Sequence, residues 1–346
     1  MAQAYWRGGM DGEAVFSLFF RRLPPRRNYV LACGLGDALR YLERLTFAPH
    51  RERLAALGLF APGFLDWLAE VRFAGDVWAV PEGTPVFADE PLVELAAPIA
   101  VGQLAETFLL NQLHFQSVVA SKAARVVTAA DGRPVVDFGL RRMHGTDAGM
   151  KAARAFHVAG VAGTSNVLAG AVYGMPVSGT MAHSWVQAHD DELAAFRAFA
   201  ALYPETVLLV DTYDTLAGVE KVAVLARELG DGFRVRAVRL DSGDLAELAK
   251  RSREILDAAG LERVEIFASG GLDEDSVAAL VAAGAPIDGF GVGTRMGVSQ
   301  DAPTLDAVYK LTSYAGRGRM KVSPGKETLP GRKQVFRVEE GGRARH

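Results

Sequence analysis

A chain of 346 residues, 49% hydrophobic and 23% charged, has the composition of a globular protein with ample material for a core. Its net charge of −3 argues against a general nucleic-acid surface, and no apolar run reaches the length of a membrane span. Cys33 is the single cysteine, which excludes an internal disulfide and a zinc site built from several cysteines. Taken in order, residues 1–75 read as largely helical, with apolar spacing at 37–45 and 64–71. Met1-Ala-Gln-Ala-Tyr-Trp6 has helical spacing with no cap before it and no signal-peptide layout, so the cytoplasm is the expected location. Residues 76–97 switch to strand and turn grammar, which predicts a small antiparallel sheet in a first domain. A long helix is predicted from about 100 to 130.

From there a regular rhythm begins. Apolar segments that begin as strands are predicted at 135–141, 176–179, 207–211, 235–241, 264–271 and 288–294, the first five each followed by a helical segment and the sixth closing the series. The helices are expected near 147–159, to about 202, and at 214–229, 244–259 and 274–283. Alternation at about 25 to 30 residues is the βαβ spacing of a parallel sheet. Each strand ends in a polar or glycine-rich group, and a closed parallel barrel brings all such ends to one face. An open sheet uses only the ends near its switch point. Six contributing strands therefore favour an irregular parallel β/α barrel over 101–300, with a smaller α+β domain over 1–100 completed by 301–346.

The stretch Pro176-Val-Ser-Gly-Thr-Met-Ala-His-Ser-Trp185 reads as a strand, a turn and a helix start, with Thr180 as the expected cap and His183 in the first turn. The other strand ends add Phe138, Arg141, Arg142 and Arg239, the carboxylates Asp211, Asp214, Asp241 and Asp244, and two turns, Ser269-Gly270-Gly271 and Gly291-Val-Gly293-Thr294. Arginine forks bind carboxylate or phosphate, glycine turns let backbone amides close on phosphate, and carboxylates beside a phosphate hold Mg²⁺ or stabilise a cation. The set suits a sugar phosphate that carries a pyrophosphate, with Phe138 stacking on a flat ring. Each member has a plainer reading: Asp211 and Asp241 as helix caps, the arginines as surface ion pairs, the glycines as turns, Trp185 and Phe138 as core. His114, His144, His157 and His189 are read as structural or solvated. Recurrence at six successive strand ends outweighs the plainer readings.

These segments, together with Glu106-Thr-Phe-Leu-Leu-Asn-Gln-Leu-His-Phe-Gln116, Asp137-Phe-Gly-Leu-Arg-Arg142, Val210-Asp-Thr-Tyr-Asp214, Val238-Arg-Leu-Asp-Ser-Gly-Asp244 and Lys326-Glu-Thr-Leu-Pro-Gly331, resemble the nicotinate phosphoribosyltransferase family over nearly the whole chain. The resemblance implies a type II phosphoribosyltransferase barrel. It also implies an ATP-dependent, ligase-type reaction that joins nicotinate to 5-phosphoribosyl 1-pyrophosphate, giving nicotinate mononucleotide, pyrophosphate, ADP and phosphate in NAD salvage. His183 matches the histidine that ATP phosphorylates, and Thr180 and Arg239 match groups that hold nicotinate. Thr294 matches a contact to phosphoribosyl pyrophosphate, with Ser269, Gly270, Gly271 and Gly293 in the same substrate-binding turns. By the same likeness Phe138 stacks on the pyridine, Arg141 meets phosphate, and Asp211 and Asp241 sit by the ribose and Mg²⁺ as catalytic and metal-binding groups. The implied assembly is a homodimer with its site at the subunit interface. Family members carry an Asp-Leu-Tyr segment ahead of the position of Met1, and the tail after Phe336 is short for the family. The expectation is therefore a chain trimmed at both ends, with closing strands of the first domain missing. The alternatives are a nicotinamide-using relative, or a truncated, catalytically weak homologue that binds nucleotide or phosphate.

Overall fold

After helix α1 (Ala2–Arg7), the segment expected to be helical instead forms strand β1 (Glu13–Phe20) in the computed structural model, which describes residues 1–340 and 343–345. Every residue from Ala14 to Phe20 is buried, so the strand shows no inside–outside alternation and its apolar run carries no period to read. Strand β2 (Val30–Leu31) and helices α2 (Leu35–Glu43), α3 (Arg51–Ala56) and α4 (Pro62–Glu70) follow, with α2 and α4 on the two stretches of helical spacing. Strands β3 (Asp76–Ala79), β4 (Pro85–Val86) and β5 (Val93–Pro98) supply the expected antiparallel pairing. Helix α5 (Ile99–Ala129) then runs for 31 residues.

The chain divides into two compact units, Met1–Val118 with Thr304–His346, and Val119–Pro303. The division falls inside α5 and not at residue 100, where the strand grammar stops. The reason lies in the side chains: Ala105, Leu109, Leu113 and Val118 of α5 belong to the same buried apolar cluster as Phe16 and Phe20 of β1.

The second unit opens with β6 (Val135–Asp137), α6 (Thr146–Val158), β7 (Gly163–Thr164) and α7 (Val167–Tyr173). It continues with α8 (His183–Gln187), α9 (Glu192–Leu202), β8 (Val207–Leu209) and α10 (Thr215–Leu229). Next come β9 (Ala237–Leu240), α11 (Leu245–Ala258), β10 (Glu265–Ala268), α12 (Glu274–Ala282), β11 (Gly289–Val292) and α13 (Thr294–Gly297). Six parallel strands pair in the order β7-β6-β11-β10-β9-β8. The first strand of the series thus pairs with the last, the connection that wraps a sheet into the expected barrel, and the discontinuity lies between β7 and β8.

Residues 176–179 do not form the strand predicted for them. Only Val177 pairs, through one parallel bridge to Thr164. Thr164 donates its amide to the Pro176 carbonyl at 3.0 Å and accepts from the Ser178 amide at 3.0 Å, while Pro176 has no amide with which to extend the ladder. The sixth strand is instead β7, two residues long and too short to show periodicity. The single helix expected to about 202 is broken into α8 and α9.

The chain returns to the first unit with β12 (Ala307–Tyr314) and β13 (Arg317–Gly318), giving a five-stranded sheet in the order β13-β12-β1-β5-β3. The expectation for the tail, 337–346, falls partly on residues 341, 342 and 346, which lie outside those described. Among the described residues no helix is long and apolar enough to cross a membrane.

Candidate active site

The four aspartates that follow β8 and β9 separate into two pairs. Asp214 accepts the Ala217 amide at 2.8 Å and caps α10, and Asp244 accepts the Glu247 amide at 3.2 Å and caps α11. With both caps supplied three residues downstream, Asp211 and Asp241 are released from that role. Asp211 Oδ2 accepts the Asp241 amide at 3.1 Å and the Ser242 hydroxyl at 2.5 Å. Asp241 Oδ1 accepts the Ser269 hydroxyl at 2.5 Å and lies 3.4 Å from Arg239 Nη2. Two carboxylate oxygens are left over. Asp211 Oδ1 is buried without a partner, and Asp241 Oδ2 lies 4.0 Å from His183 Nε2.

Thr180 does not cap the helix that carries His183. The chain enters α8 at Ala182 in an extended conformation, so the first helical turn lies too far along for Thr180 to reach, and no side chain caps it. The Thr180 hydroxyl donates to the Met181 carbonyl at 3.0 Å and accepts from Arg239 Nη1. His183 is the first helical residue, with Nδ1 3.1 Å from the Thr212 hydroxyl. Trp185 and His189 pack on one another, and Trp185 donates its indole N–H to the Ala195 carbonyl at 3.1 Å, a structural role.

Arg239 projects from β9 with 13% of its side chain exposed. Burial lowers its pKa, Asp241 and Asp211 oppose that, and Arg141 adds to it. Its guanidinium carbon lies 5.6 Å from the centroid of the Phe138 ring, within cation–π range, and its Nε is buried without a partner. The Phe138 ring has its place because β11 carries glycine where it passes: a Cβ at Gly291 would lie 2.5 Å from Phe138 and 3.0 Å from Phe267. Phe290 and Val292, the alternating residues of the same strand, are fully buried.

The glycine turns stand at the ends of the neighbouring strands β10 and β11. Gly270 has φ +99°, and a Cβ there would lie 1.9 Å from the Asp241 carbonyl oxygen, so close approach of two backbones requires glycine. Gly271 is exposed at φ +65°. Gly293 precedes α13 and Thr294 begins it, exposed. Ser269, expected at the substrate, is 2% exposed, with its hydroxyl turned to Asp241. Arg141 is exposed on the 3₁₀ turn Leu140–Arg142.

The structure thus brings Phe138, Thr180, His183, Asp211, Arg239, Asp241 and Ser269 into one connected cluster. It adds Thr212, Ser242 and Phe267, which sequence reasoning had not singled out. Thr212 and Ser242 each directly follow a site aspartate, and that adjacency was the available signal. Among the described residues no group of three His, Cys, Asp or Glu side chains could cage a metal. The carboxylate oxygens left without a protein hydrogen-bond donor, Asp211 Oδ1 and Asp241 Oδ2, are of the hard type that Mg²⁺ takes from one or two carboxylates beside substrate phosphates and water.

The chain matches the family model for the nicotinate phosphoribosyltransferase N-terminal domain over residues 1–114 and that for the nicotinate phosphoribosyltransferase family over residues 134–326. The nicotinate phosphoribosyltransferase pncB2 of Mycobacterium tuberculosis is 64% identical over 343 residues, covering 99% of this chain and 74% of the relative. That of Bacillus subtilis is 42% identical over 347 residues, covering 98% and 71%. The crystal structure of human nicotinic acid phosphoribosyltransferase superposes with a TM-score of 0.86 at 33% identity, covering 99% of this chain and 77% of that one.

Proposed function

The chain belongs to the nicotinate phosphoribosyltransferase family, and from that premise we propose that it joins nicotinate to 5-phosphoribosyl 1-pyrophosphate in NAD salvage, releasing pyrophosphate. The observation that carries this reading is the grouping of Arg239, Thr180 and Phe138: a buried guanidinium, a hydroxyl bonded to it, and an aromatic face beside both. A flat ring bearing a carboxylate fits that grouping. Nicotinamide, which is neutral, offers the arginine no ligand charge to add to that of Asp241.

In the reaction the pyridine nitrogen forms a bond to the anomeric carbon while the bond from that carbon to pyrophosphate breaks. Positive charge develops on the sugar between the two. We assign its stabilisation to Asp241, a reading supported by the hydrogen bonds that hold it, from the Ser269 hydroxyl and through its own amide to Asp211. Arg141 and the amides of the Gly270–Gly271 and Gly293–Thr294 turns receive the phosphates. Asp211 and Asp241 are the residues that would hold Mg²⁺, which would supply neutralisation of the pyrophosphate charge.

ATP coupling belongs to the same reading. His183 accepts the γ-phosphoryl group of ATP, and hydrolysis of the phosphohistidine returns phosphate beside ADP. A phosphorylated state that changes substrate interaction by about 1.4 kcal/mol shifts affinity tenfold. The assembly is a homodimer with the site at the subunit interface, a reading supported by the family alone.

The test is product formation from nicotinate and from nicotinamide, with phosphoribosyl pyrophosphate and Mg²⁺, with and without ATP. Nicotinate mononucleotide that increases with ATP supports the reading. No product from nicotinate overturns it, and an equal rate with nicotinamide overturns the role given to Arg239.

A further inference from the structure

We infer that Asp273 and Arg295 are positioning residues that hold the two glycine turns at one separation and so set the grip on the phosphates of phosphoribosyl pyrophosphate. This rests on the reading above. Strands β10 and β11 are paired neighbours, so the turns that leave them, Ser269-Gly270-Gly271 and Gly293-Thr294, are neighbours too. Each turn opens a helix, α12 or α13.

The Asp273 carboxylate divides its two oxygens between those helices. Oδ1 accepts the Ser276 amide at 2.9 Å and the Ser276 hydroxyl at 2.8 Å, which caps α12. Oδ2 accepts Arg295 Nη1 at 2.6 Å, from the residue directly after Thr294. One carboxylate therefore fixes the start of the helix behind the first turn and ties it to the second. Burial, which raises its pKa, is outweighed by the Ser276 hydrogen bonds and the Arg295 pairing, which bring it down to about 2, so the tie is charged throughout the neutral range.

A second tie joins the same two segments from the buried side. Glu274, the first residue of α12, is 4% exposed and accepts from Lys122 and, at 3.0 Å, from Arg125 Nε. Lys122, 3% exposed, also donates to Asp301, beyond α13, at 2.7 Å. The buried tie carries the packing of α5 against this region. The outer tie has 46% of the arginine side chain exposed and lies nearer the turns. Breaking the buried tie leaves a charge unpaired in the interior and risks the fold. Breaking the outer one leaves the core untouched, which makes it the one to test.

Asparagine caps helices as well as aspartate does, so Asp273→Asn keeps the cap and removes only the charged tie. The expected result is a KM for phosphoribosyl pyrophosphate raised about tenfold, equivalent to about 1.4 kcal/mol, with the KM for nicotinate unchanged and only a small fall in Tm from the lost charge pairing. Arg295→Gln should do the same, Arg295→Lys should recover part of the loss, and the double variant Asp273→Asn/Arg295→Gln should be no worse than either single. Calorimetric titration of phosphoribosyl pyrophosphate into parent and variants reads the same loss without turnover. A parent that binds it but forms no nucleotide fails the functional reading and leaves this inference to the titration. Unchanged binding in both single variants, additive losses in the double, or no binding by the parent overturns the inference.

Discussion

Arg239 Nη1 donates to the Thr180 hydroxyl, which joins β9 to the segment between α7 and α8 by a side-chain bond rather than a backbone one. The same guanidinium faces Phe138 and Asp241, so three neighbours fix its plane. Its orientation is set before any ligand arrives, and the fork can present a flat, directional edge.

Arg239→Lys keeps the charge and loses that edge, because an ammonium cannot serve Thr180, Asp241 and a ligand carboxylate in one plane. The KM for nicotinate should rise by roughly 10- to 100-fold, on the order of the 1.5–3 kcal/mol that a charged hydrogen bond supplies. Any activity with nicotinamide should change far less. Steady-state kinetics on the two substrates check this, and an equal loss on both would show that Arg239 does not read the carboxylate.

Gly270→Ala and Gly271→Ala should differ sharply. Both residues have positive φ, which costs a non-glycine residue about 1–2 kcal/mol. At Gly271 nothing lies within 4 Å of the new methyl, so that strain is the whole cost. At Gly270 the methyl meets the Asp241 carbonyl oxygen at 1.9 Å, so the backbone bearing the site carboxylate must move. Thermal unfolding should show a small Tm loss for Gly271→Ala, and a larger one for Gly270→Ala together with a fall in kcat. Similar behaviour of the two would contradict the packing described.

Thr212→Val removes the hydroxyl beside His183 Nδ1 at nearly constant volume. If His183 carries the phosphoryl group, ATP stimulation should drop several-fold while the rate without ATP holds, and Thr212→Ser should restore it. Equal losses with and without ATP would assign Thr212 to general stability instead.

In the first unit His114 Nε2 accepts the Leu305 amide at 2.9 Å, which requires that nitrogen to be unprotonated. Burial lowers the pKa of this histidine from the ordinary 6.5. The unfolded chain then binds the proton more readily than the folded one, so the contribution is complete above about pH 6.5 and is lost as pH falls below it. Unfolding followed from pH 7.5 to 5.5 should show a steeper loss of stability in the parent than in His114→Gln. Parallel slopes would mean that His114 does not control this range.

The barrel was legible because apolar strands recur between helices and each ends in a group with chemistry to offer. Residues 176–179 are apolar enough to read as a strand, yet Pro176 withholds the amide a ladder needs; Gly163–Thr164 is too short to read as one and pairs because it lies beside β6. Strand β1 was hidden by complete burial. In the site, sequence alone left Asp211 and Asp241 open between cap and functional carboxylate. The structure removes the cap reading, because Asp214 and Asp244, three residues on, already supply the caps. Ser242 and Thr212 make hydroxyl contacts to neighbouring segments, and no local pattern encodes a partner some 30 residues away.

The single bridge at Val177 bears on the rates at which backbone protons exchange with solvent. The segment that carries Thr180 and His183 is attached to the sheet there by two backbone hydrogen bonds, both to Thr164. Releasing those bonds, with the side-chain bonds Arg239–Thr180 and His183–Thr212, frees the segment without unzipping a ladder, whereas the amide of Ser269 is bonded to Leu240 beside the continuous β9–β10 pairing. Exchange at Thr164 and Ser178 should therefore proceed through small local openings, and at Ser269 only through much larger ones. The segment assigned to substrate and phosphoryl transfer therefore opens at lower cost than the paired centre of the sheet.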